Sequence, residues 1–393
     1  MLSTGDGPSV TWYPYGMNEK IPYYDCAIVG GGPAGLSLAA WLGKRGFRVV
    51  LFEKNSYPFH KVCGEYLSLE SMESLLELGM PLESWELPRI NTLFMSSPGG
   101  TAFTRPLKPG GVGLSRYRLD QALAARAKAN GAHVLEQAKV GAVFQENEIF
   151  KLESSRGVVR AGVCCASFGR HANLDVKWKR EGLKKPPNFI GVKYHVQLER
   201  PQDTIELHYF KNGYCGISPV EDGKHCICYL TTEKNLREQG NDILCLEERV
   251  LSENPFLRKA LKEAVRLYKR PLTVSHVGFS RKSLIEDHVL MLGDAAGMIA
   301  PLCGNGMSMA LHSSKLAADL VAQHLEGSIS RDSLEKAYQG SWQSHFASRM
   351  RSGRLIQDLF LRPAAANVLV KALRPFPALI DYMVRQTHGQ QPF

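Results

Sequence analysis

The stretch that decides the fold is CAIVGGGPAGLSLAAWLGKRGFRVVLFEK, residues Cys26–Lys54. It begins with an apolar run, which is followed by a glycine-rich turn, an Ala- and Leu-rich run and a second apolar run. They predict a strand over Tyr24–Val29, a helix over Ala34–Arg45 and a strand over Arg48–Phe52. A strand, a helix and a strand within about 30 residues form a right-handed β-α-β unit. The stretch therefore predicts a parallel sheet with a helix packed on it.

The glycine-rich turn of this unit carries a ligand-binding pattern. Gly30, Gly32 and Gly35 fit G-x-G-x-x-G directly after a strand and at the start of a helix. The first glycine permits the tight turn, the second lets a pyrophosphate approach the backbone, and the third allows the helix to pack closely. Pro33 and Ala34 begin the helix, whose N-terminus offers a positive dipole end to phosphates. The turn predicts a dinucleotide site, whereas an ordinary flexible turn is the alternative.

An acidic residue closes the second predicted strand. Glu53 stands 18 residues after Gly35, which is close to the expected distance for a carboxylate that accepts hydrogen bonds from a ribose. Lys54 follows it and belongs to the same predicted site. With the strand, the helix and the acid in register, the prediction of a dinucleotide no longer rests on the glycines alone.

A second glycine-bearing turn lies far downstream, in VLMLGDAAGMIAPLCGNG, residues Val289–Gly306. A buried strand is predicted to end at Gly293 and Asp294, and a long helix to start near Asn305. Asp294 is an acceptor placed for a sugar-alcohol hydroxyl, and backbone N–H groups at the helix start would face a flavin ring that gathers negative charge on reduction. An Asp that caps a turn is the alternative. The two motifs in this order favour FAD over NAD.

Four motifs, GGGPAG, KVCGEYLS, SRYRLD and GDAAGMIAPLCGNG, together resemble those of one FAD-dependent superfamily. It contains the aromatic-ring hydroxylases of the p-hydroxybenzoate hydroxylase group, the flavin-dependent halogenases and the geranylgeranyl reductases. The resemblance extends over residues 24–322, and KVCGEYLS and GYCGISP are more similar to the geranylgeranyl reductases. It implies that Cys63 and Gly64 lie beside the isoalloxazine, with Cys63 as the catalytic residue, and that Arg116 lies near the FAD phosphates or ribityl chain.

The predicted cofactor-binding residues are Gly30, Gly32, Pro33, Ala34, Gly35, Glu53, Lys54, Arg116, Gly293, Asp294, Gly304, Asn305 and Gly306. Cys63 has a structural alternative as a small buried side chain. Glu65 is interpreted as a cap of the following helix rather than a proton donor. No metal site is predicted, because the nine cysteines include no C-x-x-C pair and histidines such as His195, His208 and His312 lack ligand spacing. We interpret these histidines as structural.

The resemblance implies an α/β fold, with a Rossmann-like FAD-binding domain interleaved with a mostly antiparallel β-sheet substrate domain, plus C-terminal helices. We expect residues 1–20 to form a flexible N-terminal segment. The predicted FAD-binding domain is discontinuous and comprises 21–90, 111–170 and 275–330. The substrate domain comprises 91–110 and 171–274, and the C-terminal helices occupy 331–393.

Composition and charge indicate which kinds of partner the protein can bind. The chain has 393 residues, a net charge of +10 and 44% hydrophobic residues, and its charge is spread without a nucleic-acid motif. We expect no nucleic-acid partner and, since no apolar run approaches about 20 residues, a cytoplasmic protein. The basic segment 177–185 around Trp178 is interpreted as a solvated loop. Docking of an acidic carrier protein or peripheral contact with an anionic membrane is the alternative, and the C-terminal stretch from Arg349 is also basic.

The resemblance leaves the reaction open. The leading prediction is a monooxygenase that acts on an apolar aromatic, polyketide-like or lipid substrate through a flavin C4a-hydroperoxide, with NAD(P)H or another electron donor. The alternatives are geranylgeranyl-reductase-like reduction of C=C bonds in an isoprenoid or acyl substrate, and a non-catalytic lipid carrier. Phe168 stands before Gly169 where the hydroxylases carry Asp-Gly, Gly216 replaces a reductase aromatic residue, and the halogenase Trp-x-Trp-x-Ile-Pro motif is absent.

Overall fold

The computed structural model describes residues 21–170, 172–180, 189–279 and 282–388; the predicted N-terminal segment 1–20 lies outside them. The strands are β1 (Tyr23–Val29), β2 (Val49–Phe52), β3 (Tyr66–Ser68), β4 (Arg89–Ser96), β5 (Ala102–Gly113), β6 (His133–Leu135), β7 (Val140–Glu146), β8 (Ile149–Ser154), β9 (Gly157–Ala166), β10 (Phe189–Gln197), β11 (Thr204–Phe210), β12 (Gly213–Pro219), β13 (His225–Thr232), β14 (Val265–Arg266), β15 (Leu272–Val277), β16 (Ile285–Glu286) and β17 (Val289–Met291). The helices are α1 (Pro33–Lys44), α2 (Met72–Glu77), α3 (Arg116–Ala129), α4 (Asn173–Lys177), α5 (Glu233–Glu238), α6 (Ile243–Arg249), α7 (Pro255–Glu263), α8 (Gly306–Leu325), α9 (Arg331–Phe360), α10 (Pro363–Leu373) and α11 (Pro377–Thr387).

The first sheet is built around β1. Its main path runs β16-β17-β9-β1-β2-β6, and the hairpin β7-β8 joins it through β9. β1 pairs in parallel with β2 on one side and with β9 on the other. The strand order therefore reverses at β1, with β2 on one side and β9 on the other. Ligands of open α/β sheets bind at such a reversal. The predicted β-α-β unit and the α/β class are confirmed.

Helix α1 joins the two glycine motifs. Residues 33–43 of this helix are all buried, as expected for a helix that has neighbours on every side. It packs against α3 and α8. The hydroxyl oxygens of Ser37 on α1 and Ser314 on α8 lie 2.5 Å apart, which shows how closely these two helices approach. The two helices that open after the glycine-bearing turns thus lie side by side.

The second sheet is mostly antiparallel, as predicted. Its order is β14-β10-β13-β12-β11-β4-β5-β3, with β15 also paired to β10, and β11 and β4 form a parallel pair. Because side chains alternate along a strand, neighbours such as Tyr209 and Phe210 belong to different apolar clusters on opposite faces. One face packs on α6 and α7 through Leu246 and Leu257. Both faces of this sheet are therefore covered.

The C-terminal helices cover the other face of the second sheet. Phe360, Ala366, Val370, Leu373 and Ile380 are buried in one apolar cluster with sheet residues such as Tyr209 and Tyr214. The Tyr209 and Phe360 rings stack with centroids 4.5 Å apart. Within the described residues, every helix falls short of the length and apolarity needed to cross a bilayer.

The two sheets interleave more finely than the predicted ranges. Strand β3 lies inside 21–90, which was expected in the FAD-binding domain, yet it pairs with β5 in the second sheet through Tyr66 and Gly113. The range 21–90 therefore contributes strands to both sheets, and the domain ranges stay a prediction. The apolar triplet Tyr66–Ser68 is too short to indicate which sheet it joins.

The basic segment 177–185 divides into different environments. Arg180 is buried, donates from Nη1 to Asp175 at 2.7 Å, and donates from Nη2 to the Ala295 carbonyl at 3.0 Å. Lys177 is exposed and its ammonium donates to the Gly141 carbonyl at 2.8 Å. Residues 181–185 lie outside the described residues. The interpretation of Arg180 as a solvated or docking charge is wrong, because it ties α4 to the second glycine-bearing loop.

The contact of His312 on α8 with His345 on α9 predicts that the stability of the fold depends on pH. Burial, and then the positive charge at His345, lower the pKa of His312 to about 3. The folded state therefore keeps His312 neutral, so its contribution is complete above the unfolded pKa of about 6.5 and is lost as pH falls toward 3. We expect the advantage of wild type over His312→Gln to shrink by up to about 1.4 kcal/mol per pH unit from about pH 6 down to about pH 4. Urea unfolding across that window measures this, and parallel curves would contradict it.

Candidate functional site

Loops from four strands meet at one edge of the first sheet. Val29 pairs with Phe52 on β2 and with Ala166 on β9, and Ala166 pairs with Met291 on β17. Since these strands are parallel and in register, the loops after them start at the same level. Those loops carry Gly30–Gly32, Glu53–Lys54, Ser167–Phe168 and Gly293–Asp294. The structure thus brings both predicted glycine motifs to one place.

Gly30 and Gly35 are required by the packing of the protein itself. Gly30 has φ of +109°, and a Cβ atom there would lie 2.6 Å from the backbone of Phe168. A Cβ atom on Gly35 would lie 2.1 Å from the Gly30 carbonyl oxygen. The Ser167 hydroxyl donates to that same oxygen at 2.7 Å. Helix α1 therefore approaches the ends of β1 and β9 too closely for any side chain.

Gly32 and Gly306 are different, because the described residues leave room for a side chain at both. The nearest atom to a Cβ on Gly32 would be Nη2 of Arg116 at 3.6 Å, and the nearest to one on Gly306 would be a methyl carbon of Ile299 at 3.9 Å. Gly32 precedes the first residue of α1, and Gly306 is the first residue of α8. Both helix N-termini thus open onto free space with N–H groups available to a ligand.

The carboxylate of Glu53 is fixed beside the first turn. It is buried, and it accepts from the Gly31 N–H at 3.0 Å and from the Asn55 amide side chain at 2.7 Å. The Tyr57 hydroxyl donates to the Gly31 carbonyl at 2.6 Å and occupies the space where a Gly31 side chain would lie. Lys54, the next residue after Glu53, is exposed. The acid is therefore held at the place where the sequence predicts a ribose.

Arg116 presents its guanidinium above Gly32. Its Nε and Nη2 donate to the two carboxylate oxygens of Asp120 at 2.8 and 2.7 Å, which fixes the plane of the guanidinium. Burial opposes the charge, but Asp120 outweighs it and raises the pKa of Arg116. A permanently charged group that lies beside a helix N-terminus suits a phosphate ligand.

Asp294 follows β17 at the same edge. The pKa of its carboxyl is raised by burial, although Arg116, Arg170 and Lys282 lower it in part. Among the described residues this carboxylate has no hydrogen-bond partner, so its oxygens are available to a ligand hydroxyl. Gly293 has φ of +56°, and a Cβ there would lie 3.1 Å from that of Ala34 on α1. The two glycine motifs touch at this point.

In the turn before α8, some residues are already hydrogen-bonded within the protein and others are free to contact a ligand. Gly304 has φ of +67° and its N–H donates to the Pro301 carbonyl at 3.0 Å, so Gly304 serves the turn and its N–H is already used. The Asn305 side chain is buried and donates to the Thr387 carbonyl at 3.0 Å. Of the three predicted residues Gly304, Asn305 and Gly306, only Gly306 at the start of α8 therefore has free space beside it for a ligand.

The segment that contains Cys63 is held by the second sheet. The Ser218 hydroxyl on β12 donates to the Gly64 carbonyl at 2.7 Å, and the Cys226 thiol on β13 lies 3.4 Å from the Cys63 carbonyl. A Cβ atom on Gly64 would meet nothing within 4 Å, so this backbone also faces open space. Burial raises the pKa of the Cys63 thiol, which therefore keeps its proton at neutral pH. Its catalytic role stays a prediction.

Glu65 has partners that the sequence did not indicate. It is fully buried at φ of +59°, and it accepts from the Arg116 N–H at 2.8 Å, from His195 Nε2 at 2.5 Å and from the Lys193 ammonium. Glu65 therefore caps α3. The prediction that it caps the next helix along the chain, which is α2, is wrong. Burial acts to raise its pKa, but Lys193 and His195 lower it to about 2, so Glu65 carries no proton to donate at neutral pH.

Three of these groups have the chemistry of metal ligands. Donor atoms of Glu65, His195 and Cys226 lie within 4.8 Å of one another. The Lys193 ammonium, however, is buried against the same carboxylate and also donates to the Lys61 carbonyl at 3.1 Å. A lysine cation in this position opposes a metal cation, so the group is an ion-paired cluster.

His208 is likewise paired, with Ser96 at 2.7 Å and Glu206 at 2.8 Å.

A cavity of about 620 Å³ opens beside this cluster at the start of α3. Its wall includes the rings of His60, Tyr117, His195 and Tyr268 and the charged groups of Arg118, Glu221, Asp222 and Lys224. The mixture of both charge signs suits a polar ligand group and not an apolar chain. His195 connects this cavity to Glu65.

Sequence reasoning missed Tyr57, Asp120, Ser167 and Lys193. Tyr57 and Ser167 orient the turn from positions that no motif marks, and Asp120 orients Arg116 from the end of the motif SRYRLD, where only Arg116 was assigned a role. Lys193 had a signal, because it is the single lysine in the mostly apolar strand FIGVKYHVQ, and a buried lysine requires a partner.

Comparison with known proteins identifies the family. Residues 23–344 match the family described as FAD binding domain. The chain belongs to this family of FAD-binding proteins. It is an FAD-dependent oxidoreductase, which sets aside the alternative of a non-catalytic carrier.

Named relatives of this FAD-binding chain differ in activity. It is 26% identical to digeranylgeranylglycerophospholipid reductase 2 of Methanopyrus kandleri over 370 residues, which are 89% of this chain and 90% of the relative. It is 27% identical to conditioned medium factor receptor 1 of Dictyostelium discoideum over 369 residues, 86% of this chain and 71% of the relative. A flavin-dependent brominase structure aligns with a TM-score of 0.76 at 19% identity and 93% coverage of both chains, which shows a shared fold.

The residues present fit FAD. Two open helix N-termini and the Arg116 guanidinium suit a pyrophosphate, the Glu53 carboxylate suits a ribose, and Asp294 offers acceptors to the hydroxyls of a ribityl chain. These groups lie around the carboxyl edge of the first sheet, where the strand order reverses. They are donors and acceptors without a complete set of partners inside the protein, as a cofactor site requires.

The two kinds of glycine predict different phenotypes. We expect Gly32→Ala to fold like wild type but to lose FAD by at least about tenfold in affinity, because its methyl group enters space needed by the pyrophosphate. We expect Gly30→Ala to lower stability in the absence of FAD, since the clash is with the Phe168 backbone. Thermal unfolding of FAD-free protein and titration with FAD separate the two. Unchanged FAD affinity in Gly32→Ala would contradict the assignment.

The buried Glu65–Lys193 pair predicts a non-additive stability effect. Removing one partner of a buried pair costs about 3–5 kcal/mol, because the other charge is left uncompensated, whereas replacing both costs much less. We therefore expect Glu65→Gln and Lys193→Met each to lower the free energy of unfolding by about that amount. The double variant should be more stable than either single variant. Denaturant unfolding of the four proteins measures the coupling, and strictly additive losses would contradict it.

Proposed function

We propose that this protein reduces carbon–carbon double bonds in an isoprenoid or similarly apolar substrate, with FAD as the hydride carrier. The observation that carries the proposal is an apolar cluster that extends from the second sheet to the flavin-site loop before α8. Met298 and Leu302 of that loop pack against the cluster beneath the C-terminal helices. An apolar chain placed there would lie close to the N-terminus of α8.

The residues of this cluster are apolar, pack against one another and exclude water, so an apolar substrate would enter between the second sheet and the C-terminal helices by separating them. The sheet contributes Met95, Phe103, Tyr209, Tyr214, Leu230 and Val277, and the C-terminal helices contribute Phe360, Ala366, Val370, Leu373 and Ile380. Burial raises the pKa values of Tyr209 and Tyr214 well above the usual range, so both phenols stay neutral. Removal of apolar surface from water would supply the affinity for a chain that offers few polar groups.

The reaction requires a hydride at one carbon of the double bond and a proton at the other. FAD, when bound and reduced, supplies the hydride. Among the described residues near the flavin loop, the Cys63 thiol and the Tyr66 phenol keep a proton at neutral pH, because burial raises both pKa values. Tyr66 lies beside Gly304, where a Cβ atom would be 3.1 Å from its ring. Within the described residues, these two groups are the candidate proton donors closest to the flavin loop on the side of Cys63 and Gly304.

The sequence relatives favour reduction over oxygenation. The reductase of M. kandleri is similar over nine-tenths of both chains, and its name describes action on an isoprenoid phospholipid. The halogenating structure at 19% identity supports the fold alone. Phe168 also stands where the hydroxylases carry the Asp of an Asp-Gly pair.

Oxygenation of an apolar substrate, the leading prediction from the sequence, is the second candidate. The water-poor cluster beside the flavin loop favours it as well, because an oxygen-transferring flavin also needs protection from water. The electron donor, NAD(P)H or another, stays a prediction for either reaction.

One experiment separates the two reactions. FAD-loaded protein is reduced chemically without air and mixed with a detergent-dispersed geranylgeranyl lipid; reductase activity reoxidises the flavin and adds two hydrogens per double bond in the product mass. A parallel sample receives isotope-labelled oxygen. We expect reduction in the first arm and no label in the second. Labelled product, with no anaerobic reoxidation, would replace the proposal with oxygenation, and wild-type protein stripped of FAD serves as the control.

A further inference from the structure

The outer face of the C-terminal helices is unusually apolar for a surface. Six of the fifteen exposed large hydrophobic residues of the described chain lie between Leu355 and Tyr382. They are Leu355, Leu359, Val368, Phe376, Leu379 and Tyr382, with exposed fractions of 40% to 71%. Scattered single residues of this kind are ordinary, but a concentration on adjacent elements marks an interaction surface.

These side chains lie on the opposite side of the helices from the buried cluster. On α10, Val370 and Leu373 are buried against the second sheet while Val368 is exposed; on α11, Ile380 is buried while Leu379 and Tyr382 are exposed. A helix with apolar residues on both faces requires an apolar neighbour on each. The sheet supplies one neighbour, and the outer face is left without one in the described chain.

The charges around this face are predominantly positive. Between residues 351 and 385 the exposed basic residues are Arg351, Arg362, Lys371, Arg374 and Arg385, whereas the exposed acidic residues of that range are Asp358 and Asp381. Within the described ranges, none of these five cations forms a salt bridge of 4.0 Å or less. Apolar side chains interspersed with unpaired cations are typical of helices that lie in the headgroup region of an anionic bilayer.

We propose that the outer face of α10, α11 and the end of α9 docks on an anionic lipid bilayer. The helices lie in the interface, since none of the described helices can span the membrane. Phe376 and its neighbours enter the boundary between headgroups and acyl chains, and Lys371, Arg374 and Arg385 bind lipid phosphates. This surface is separate from the segment 177–185, whose docking role stays a prediction although Arg180 in that segment is buried.

The position of this face connects it to the proposed function. The apolar cluster assigned to the substrate lies directly beneath the same helices, so docking would place the substrate region next to the bilayer. In that respect the inference rests on the proposed function. The binding itself does not, because it requires neither substrate nor electron donor.

Vesicle binding of the full FAD-loaded chain tests the proposal. We expect sedimentation with vesicles of phosphatidylcholine and phosphatidylglycerol, with partitioning at least about tenfold stronger than to phosphatidylcholine alone and weakened by salt. Phe376→Ser with Leu379→Ser should lower partitioning about tenfold or more, because two apolar side chains are lost from the interface. Lys371→Glu with Arg374→Glu should abolish the preference for anionic lipid.

Matched controls lie elsewhere on the surface. Leu244 and Val265 are exposed to 57% and 64%, so Leu244→Ser with Val265→Ser removes similar apolar area from a face that carries no such cluster. It should leave binding unchanged. FAD content and circular dichroism show that each variant is folded.

Two outcomes would overturn the proposal. One is equal binding to neutral and anionic vesicles, or an equal loss in the control variant. The other is a dimer in light scattering that Phe376→Ser with Leu379→Ser dissociates, which would show that a second copy covers this face. Vesicle binding without any reduction of a geranylgeranyl lipid would sustain the docking surface and reject the proposed function.

Discussion

The close approach of helix α1 to the ends of β1 and β9 is the constraint on which the site depends. A Cβ atom on Gly35 would overlap the Gly30 carbonyl, and one on Gly30 would overlap the Phe168 backbone. This approach places the N-terminus of α1 directly over the carboxyl edge of the sheet. It also brings Ala34 against Gly293, so the second motif is positioned by contact with the first. The open positions Gly32 and Gly306 follow from it, because both helices begin at the same edge.

Much of this arrangement was predictable from the sequence, since it rests on local pattern. The strand, turn, helix and acid over Cys26–Lys54 lie close together along the chain, and glycine spacing reports backbone geometry directly. The second motif was predictable for the same reason, and so was the antiparallel character of β10–β13, because alternating and β-branched residues indicate strands. In each case the determining interactions lie within a few tens of residues.

The rest depended on contacts between distant residues. The sequence around Glu65 predicts a cap of the next helix, but its partners are Arg116, Lys193 and His195. The sequence places Arg180 among lysines, yet Arg180 is buried and donates to Asp175 and to the Ala295 carbonyl. Composition near a residue does not show whether its charge will meet a partner from another element. A single lysine within an apolar strand was the one signal of this kind that the sequence contained.

The carboxylate of Glu53 has a consequence for selectivity among nucleotides. Because the Gly31 N–H and Asn55 already hold it, its orientation costs no conformational entropy when a sugar arrives. If Glu53 binds the ribose as predicted, the same buried carboxylate would repel a phosphate on the ribose 2′-oxygen, which in other proteins is accommodated by an arginine. The end of β2 would then be preorganised for an unmodified adenosine and would discriminate against its 2′-phosphorylated form.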